Sequence, residues 1–156
     1  RNMPMPNVGD AAPDFTLDGD TGPIRLADFA GRKLVLYFYP KDDTPGCTTE
    51  GKDFSALKAD FDAADTVVVG VSRDSLASHA KFRAKHGLNV GLGADEGAVT
   101  ESYGVWVEKS MYGKKYMGIE RATFLIDRAG KVAGVWPKVK VPGHAAAVLA
   151  AAQALG

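Results

Sequence analysis

Cysteine is nearly absent from this chain: Cys47 is the only one among 156 residues. A single thiol excludes an internal disulfide. With only three histidines beside it, a cysteine-rich structural zinc site is excluded as well. Sparse cysteine also fits a reducing compartment, so the cytoplasm is the expected location. A charge excess is missing too: 19 Lys and Arg balance 19 Asp and Glu. The chain therefore carries no electrostatic footprint for nucleic acid or an anionic membrane. No apolar run approaches the length of a membrane span. Residues 1–6 lack the apolar core of a secretory signal and read as irregular. Arg1 and Asn2 precede a methionine and read as an expression remnant, with Met3 or Met5 as the natural start.

Repeats are absent, as are linkers that would divide the chain. One domain over residues 1–156 is expected, able to bury roughly 70% of the surface its unfolded form exposes. Hydrophobic residues make up 46% and charged residues 24%, an ordinary globular balance.

Residues 15–17 and 24–26 flank a turn-rich stretch and predict an N-terminal β-hairpin. Residues 34–39 form an unbroken apolar run, as suits a central strand buried on both faces. After Cys47, Phe54 and Phe61 recur at intervals of seven, with Leu57 and Ala64 three further on. That pattern predicts one helical face with Cys47 on its inward side. A second buried strand is expected at 66–72, a helix at 75–86 closed by Gly87, and a short strand at 89–92. A helix is expected at 97–103. Residues 105–118 read as a strand end and a long loop. A hairpin over 122–136 and an Ala-rich helix over 144–155 close the chain. Alternating β and α elements give a parallel core, to which the late hairpin adds antiparallel strands. The fold class is α/β: a central mixed sheet flanked by helices.

The cysteine follows the buried strand across a short loop containing Pro40, Pro45 and Gly46, and it opens a helix. A helix N-terminus carries free N–H donors and partial positive charge, both of which favour a thiolate. A lone cysteine also serves as a small buried hydrophobe, so the loop around it must decide.

That loop, Phe38-Tyr39-Pro40-Lys41-Asp42-Asp43-Thr44-Pro45-Gly46-Cys47-Thr48, resembles the active-site string of the peroxiredoxins. It is similar to their peroxiredoxin Q branch, also called bacterioferritin comigratory protein. Further matches are Gly9-Asp10-Ala11-Ala12-Pro13-Asp14-Phe15, Val69-Gly70-Val71-Ser72-Arg73-Asp74-Ser75, Tyr103-Gly104-Val105-Trp106 and the stretch 118–127. The resemblance implies a thioredoxin-like fold and a thiol-dependent peroxidase with no cofactor and no metal. It implies that Cys47 attacks hydrogen peroxide or an organic hydroperoxide and becomes a sulfenic acid. Thr44 is implied as the hydroxyl that accepts from the peroxide and donates to the thiolate. Pro40 would end the strand and shield the sulfur. Arg121 would supply a fixed cation, which favours a thiolate and stabilises the transition state. The N–H groups of Gly46 and Cys47 are further donors, and Glu50 would orient Arg121. Each residue has an ordinary reading too: Pro40 as a strand terminator, Thr44 as a helix cap, Arg121 on a solvated face.

The sequence departs from the branch in one respect. Many members carry a second cysteine five residues after the first, here Lys52, or in the next helix near Phe82 and Arg83. The sulfenic acid must then be reduced by an outside thiol, from thioredoxin, glutaredoxin with glutathione or another low-molecular-weight thiol, in a one-cysteine cycle. A peroxide sensor that relays oxidation to a partner protein is the alternative. A Cys–His hydrolase would need a histidine beside Cys47, with His144 as its only candidate. His79, His86 and His144 otherwise read as surface or helix-end residues, at no metal-ligand spacing. A monomer is expected, with a dimer as the other possibility.

Overall fold

The computed structural model describes residues 3–156, so the reading of Arg1 and Asn2 lies outside the described residues. Seven strands form one sheet: β1 (Thr16–Gly19), β2 (Ile24–Arg25), β3 (Lys33–Phe38), β4 (Thr66–Ser72), β5 (Gly91–Ala94), β8 (Ala122–Ile126) and β9 (Val132–Trp136). Their spatial order is β2-β1-β5-β4-β3-β8-β9. β3, β4 and β5 run parallel, while β1, β2, β8 and β9 join antiparallel. Among the described residues, five α-helices flank the sheet: α1 (Pro45–Ala56), α2 (Lys58–Ala63), α3 (Leu76–His86), α4 (Ala98–Ser102) and α5 (His144–Ala154). This is the mixed, helix-flanked sheet of a thioredoxin-like fold, with the N-terminal hairpin in its expected place.

β3 is the axis of the molecule, and every one of its residues is buried. Its side chains alternate between the sheet's faces, as a period of two requires. Leu34, Leu36 and Phe38 enter a core with Val71, Tyr103 and Phe124. Val35, Tyr37 and Tyr39 enter the opposite one with Cys47, Phe54, Phe61, Phe82 and Val148. A strand with no polar face can sit only in the middle of a sheet covered on both sides.

Three sequence expectations need correction. The helix after Cys47 is two helices, interrupted at Leu57 (φ −97°, ψ 10°). No Gly or Pro marks this interruption, and Phe54 and Phe61 stay buried across it. The short strand begins two residues later than expected, at Gly91. Residues 105–118 are no loop: β6 (Trp106–Met111) and β7 (Lys114–Ile119) pair antiparallel in a separate two-stranded sheet. The turn is Tyr112-Gly113, with φ of 53° and 78°. Two consecutive positive φ values define a tight primed turn, whose sequence mark is a glycine at the second position.

Candidate active site

Pairing of β3 with β8 assembles the site. Phe38, the last residue of β3, lies opposite Ala122, the first of β8. Arg121 precedes Ala122, so antiparallel register delivers it to the end of β3 where the chain leaves for Cys47. Pro40 follows at that exit and is exposed. Thr44 is the N-cap residue of α1 and Pro45 its first residue. Proline suits that position because its fixed φ is helical and its missing N–H would have had no partner. Cys47 therefore stands third in the helix, not at its opening. The first helical bond is Thr48 N–H to the Thr44 carbonyl, 2.9 Å. The N–H groups of Gly46 and Cys47 precede that ladder and face the anion-favouring end of the helix.

Cys47 is buried at 2% exposure. Arg121 Nη2 donates to its sulfur at 3.3 Å, and Nη1 donates to Glu50 Oε1 at 2.7 Å. One guanidinium thus bridges the thiol and the carboxylate. Burial pulls the guanidinium's affinity for its proton down, but Glu50 and the Cys47 sulfur outweigh it and hold Arg121 above its usual range. Burial pushes the Glu50 carboxyl up to about 7, and Arg121 offsets only part of that. Its second oxygen, Oε2, is buried without a hydrogen-bond partner. Gly46 leaves room for the approach: a Cβ there would lie 3.1 Å from Arg121 Nη2 and would push the guanidinium by a few tenths of an ångström.

Thr44 departs from its expected part. Its hydroxyl donates to the Lys41 carbonyl at 2.8 Å, so its lone pairs remain to accept but its proton is committed. The structure brings Cys47, Arg121, Glu50 and Gly46 into direct proximity, with Thr44 and Pro40 on the loop that leads to them.

Some neighbours escaped the sequence reading. The hairpin of β6 and β7 carries Lys109, whose ammonium is pushed below its usual range by burial and by the charge of Arg121. With the hairpin read as a loop, nothing marked Lys109. Of the histidines expected at the surface or at helix ends, His144 does open α5, but it is buried at 7% exposure, and His79 lies inside α3 at 0%. His144 Nε2 shares a hydrogen bond with Thr123 Oγ1 at 2.7 Å, and its ring lies edge-on to Phe54 and Trp136. Burial and the Arg121 charge lower it to about 4. Arg121, not histidine, is hydrogen-bonded to Cys47, so the hydrolase reading has no support. His79 meets Asp42 and Asp74, with one polar atom of each inside 4.8 Å. That convergence was invisible from spacing. All of these atoms are already in hydrogen bonds, which makes the group a polar network.

Arg83, near which the resemblance would put a second cysteine, is a structural clamp here. Its guanidinium grips Asp20 at 2.6 and 2.9 Å and the carbonyls of Leu88 and Val90 at 3.0 and 2.8 Å. No helix is long and apolar enough to cross a membrane among the described residues.

Known proteins align with this chain along almost all of its length. The AhpC/TSA family profile matches residues 8–135. The putative peroxiredoxin bcp of Coxiella burnetii is 51% identical over 144 residues, covering 91% of this chain and 95% of the relative. Peroxiredoxin Bcp of Xanthomonas campestris is 56% identical over 141 residues, covering 90% and 88%. A structure of Xanthomonas campestris peroxiredoxin Q superposes with a TM-score of 0.87 at 50% identity, over 95% of both chains. Another, of its bacterioferritin comigratory protein and concerned with alkyl peroxide reduction, also gives 0.87, at 49% identity over 95% and 96%. With a thiol at a helix N-terminus under an arginine delivered by β8, and with relatives of this closeness, the chain belongs to the AhpC/TSA family, in its peroxiredoxin Q/Bcp branch.

Proposed function

We propose that this peroxidase works as a one-cysteine enzyme on hydrogen peroxide and organic hydroperoxides. The observation that carries the reading is the Arg121 Nη2 to Cys47 Sγ contact of 3.3 Å at the start of α1. The Cys47 thiolate attacks the terminal peroxide oxygen. An S–O bond forms as the O–O bond breaks, and sulfur gives up two electrons. The departing alkoxide or hydroxide takes a proton from solvent and leaves as alcohol or water, with Cys47 now a sulfenic acid. Arg121 stabilises the charge spread along S, O and O, and its own proton stays in place because it is never lost at working pH. The N–H groups of Gly46 and Cys47 and the lone pairs of Thr44 are suited to hold the peroxide. Glu50 holds Arg121 from behind.

Reduction then needs a thiol from outside, because the chain has no second cysteine. That thiol, from thioredoxin or from glutaredoxin with glutathione, attacks the sulfenic sulfur and displaces water. A mixed disulfide results, and a second thiol resolves it by freeing the Cys47 thiolate. The test is peroxide consumption with each donor in turn, with the mass of Cys47 followed through the cycle. Cys47→Ser should abolish consumption; Arg121→Ala should lower it at least ~100-fold, in line with the loss of one transition-state donor, and Thr44→Val, which removes an acceptor for the peroxide proton, should lower it severely. Undiminished turnover by Cys47→Ser would refute the reading. Oxidation of a partner protein without sustained turnover on any donor would favour the sensor role.

A further inference from the structure

His79 lies one helical turn into α3 and has no exposure to solvent. Its two ring nitrogens face acceptors. Nδ1 is 2.6 Å from Asp42 Oδ2, and Nε2 is 2.9 Å from the Gly93 carbonyl of β5. A carbonyl can only accept, so Nε2 must carry a proton. Another proton must lie between Nδ1 and Oδ2. Asp42 also accepts from the Tyr39 hydroxyl at 2.6 Å and the Ser78 hydroxyl at 2.8 Å. Three donors converge on this one carboxylate, which offers only acceptors in return, so the shared proton is placed on the ring.

Asp42 belongs to the loop between β3 and α1, two residues before Thr44 and five before Cys47. Its N–H is also held, by Asp74 Oδ2 at 2.9 Å. Asp43 beside it has φ of 60°, a conformation that costs energy for a side chain other than glycine. The Asp43 carboxylate is bound in turn by Lys85 at 2.8 Å and His86 at 2.7 Å. The catalytic loop is thus fastened to α3 at two adjacent residues, and the buried one of them is fastened by His79.

We propose that His79 is a buried imidazolium that positions the catalytic loop through Asp42, so that reaction of Cys47 with peroxide depends on a proton held on a helix outside the reacting groups. This inference rests on the peroxidase reading of Cys47. The titratable groups facing the ring are Asp42 from the loop, Asp74 from the turn after β4 and Tyr39 from the end of β3; β5 offers a carbonyl alone. Burial disfavours the ring charge. The bond and charge of Asp42, with the Gly93 carbonyl and Asp74, overcome it and raise His79 above its ordinary value. Burial keeps the Tyr39 phenol neutral. Loss of the ring proton would leave a bare nitrogen facing a carboxylate or a carbonyl, and the loop would lose its anchor.

The test uses the full chain with ¹⁵N-labelled histidine rings, the His79 signals being assigned by their loss in His79→Gln. Two ring N–H signals at pH 7 are expected. A single one overturns the imidazolium assignment. In parallel, single-turnover formation of the Cys47 sulfenic acid is followed from pH 6 to 10. The wild-type rate should fall ~10-fold as the second ring proton is lost, the scale of one charge-assisted hydrogen bond, with the midpoint seen by NMR. His79→Asn, which keeps an N–H toward Asp42, should stay within ~3-fold of wild type at pH 7 and lose the high-pH fall. His79→Leu should be ~10-fold slower throughout. Rates of both variants equal to wild type at every pH overturn the positioning role. If His79→Leu does not fold, the ring spectrum and the His79→Asn profile decide. A wild-type protein that forms no sulfenic acid would sink the peroxidase reading and the positioning role together, while the ring spectrum would still report the charge of His79.

Discussion

Glu50 should make this protein less stable as pH rises from 5 to 8. Its carboxyl titrates at about 7 in the folded chain, against an ordinary 4.5, because burial removes its water. Between those values the folded chain keeps a proton that the unfolded chain has released. Stability falls with pH wherever the folded state binds more protons, so this contribution is complete below pH 4.5 and gone above 7. The separation corresponds to about 3 kcal/mol. With a urea slope of about 2 kcal/mol per molar, the midpoint should drop by ~1.5 M across the window. Glu50→Gln keeps the shape and removes the titration. Urea unfolding of both proteins at pH 5, 6, 7 and 8 isolates the effect, since all other groups titrate alike in each. The expected result is a difference that grows with pH in favour of the glutamine variant and levels off near pH 8. Parallel profiles would refute the reasoning, by showing that Arg121 and trapped water leave Glu50 ionised at little cost. The orphaned Oε2 argues against that outcome, for a carboxylate oxygen without a donor is where a proton is best tolerated.

Three further outcomes follow from single contacts. Gly46→Ala should displace Arg121 by a few tenths of an ångström, since the new Cβ would stand 3.1 Å from Nη2; the rate of Cys47 oxidation should fall several-fold with little change in thermal midpoint. Phe54→Ala, in the same core as Cys47 and stacked on Tyr37 at 4.7 Å, should cost ~3–5 kcal/mol in denaturant unfolding. His144, lowered to about 4 by burial and Arg121, should weaken the fold on acidification: the unfolded chain binds its proton from about 6.5 downward, the folded chain not until about 4. His144→Asn should remove that part of the acid loss in unfolding measured at pH 7 and pH 5.

The central strand, the inward face of the helical stretch after the cysteine (though not its break at Leu57) and the N-terminal and late hairpins were legible locally. Residues 34–39 are apolar at both parities, and only a doubly covered strand can accept that. The catalytic string was legible because chemistry confines it to one short loop. The second hairpin was misread because its sole mark is one glycine, Gly113, in an otherwise mixed stretch. His86 and His144 do stand at helix ends, but the burial of His79 and His144 was not legible, because burial of a polar ring depends on partners from elsewhere: Asp42 and Gly93 for His79, Thr123 for His144.

What the sequence determined by itself is the thiol, its helix start, its lack of an internal partner and the class of chemistry. The first three depend on residues within a few positions of Cys47 or on a count, and the last on a resemblance carried by short strings along the chain. Only the tertiary structure decided how that thiol is controlled. Arg121 stands 74 residues from Cys47 and reaches it because β8 pairs antiparallel with β3 and begins where β3 ends. Glu50 is half-titrated near neutrality because the packed helix excludes water from it. His79 anchors the loop because α3 crosses β5 and the β3 exit at one point. Proximity and desolvation set these properties, and both arise only once the chain has closed on itself.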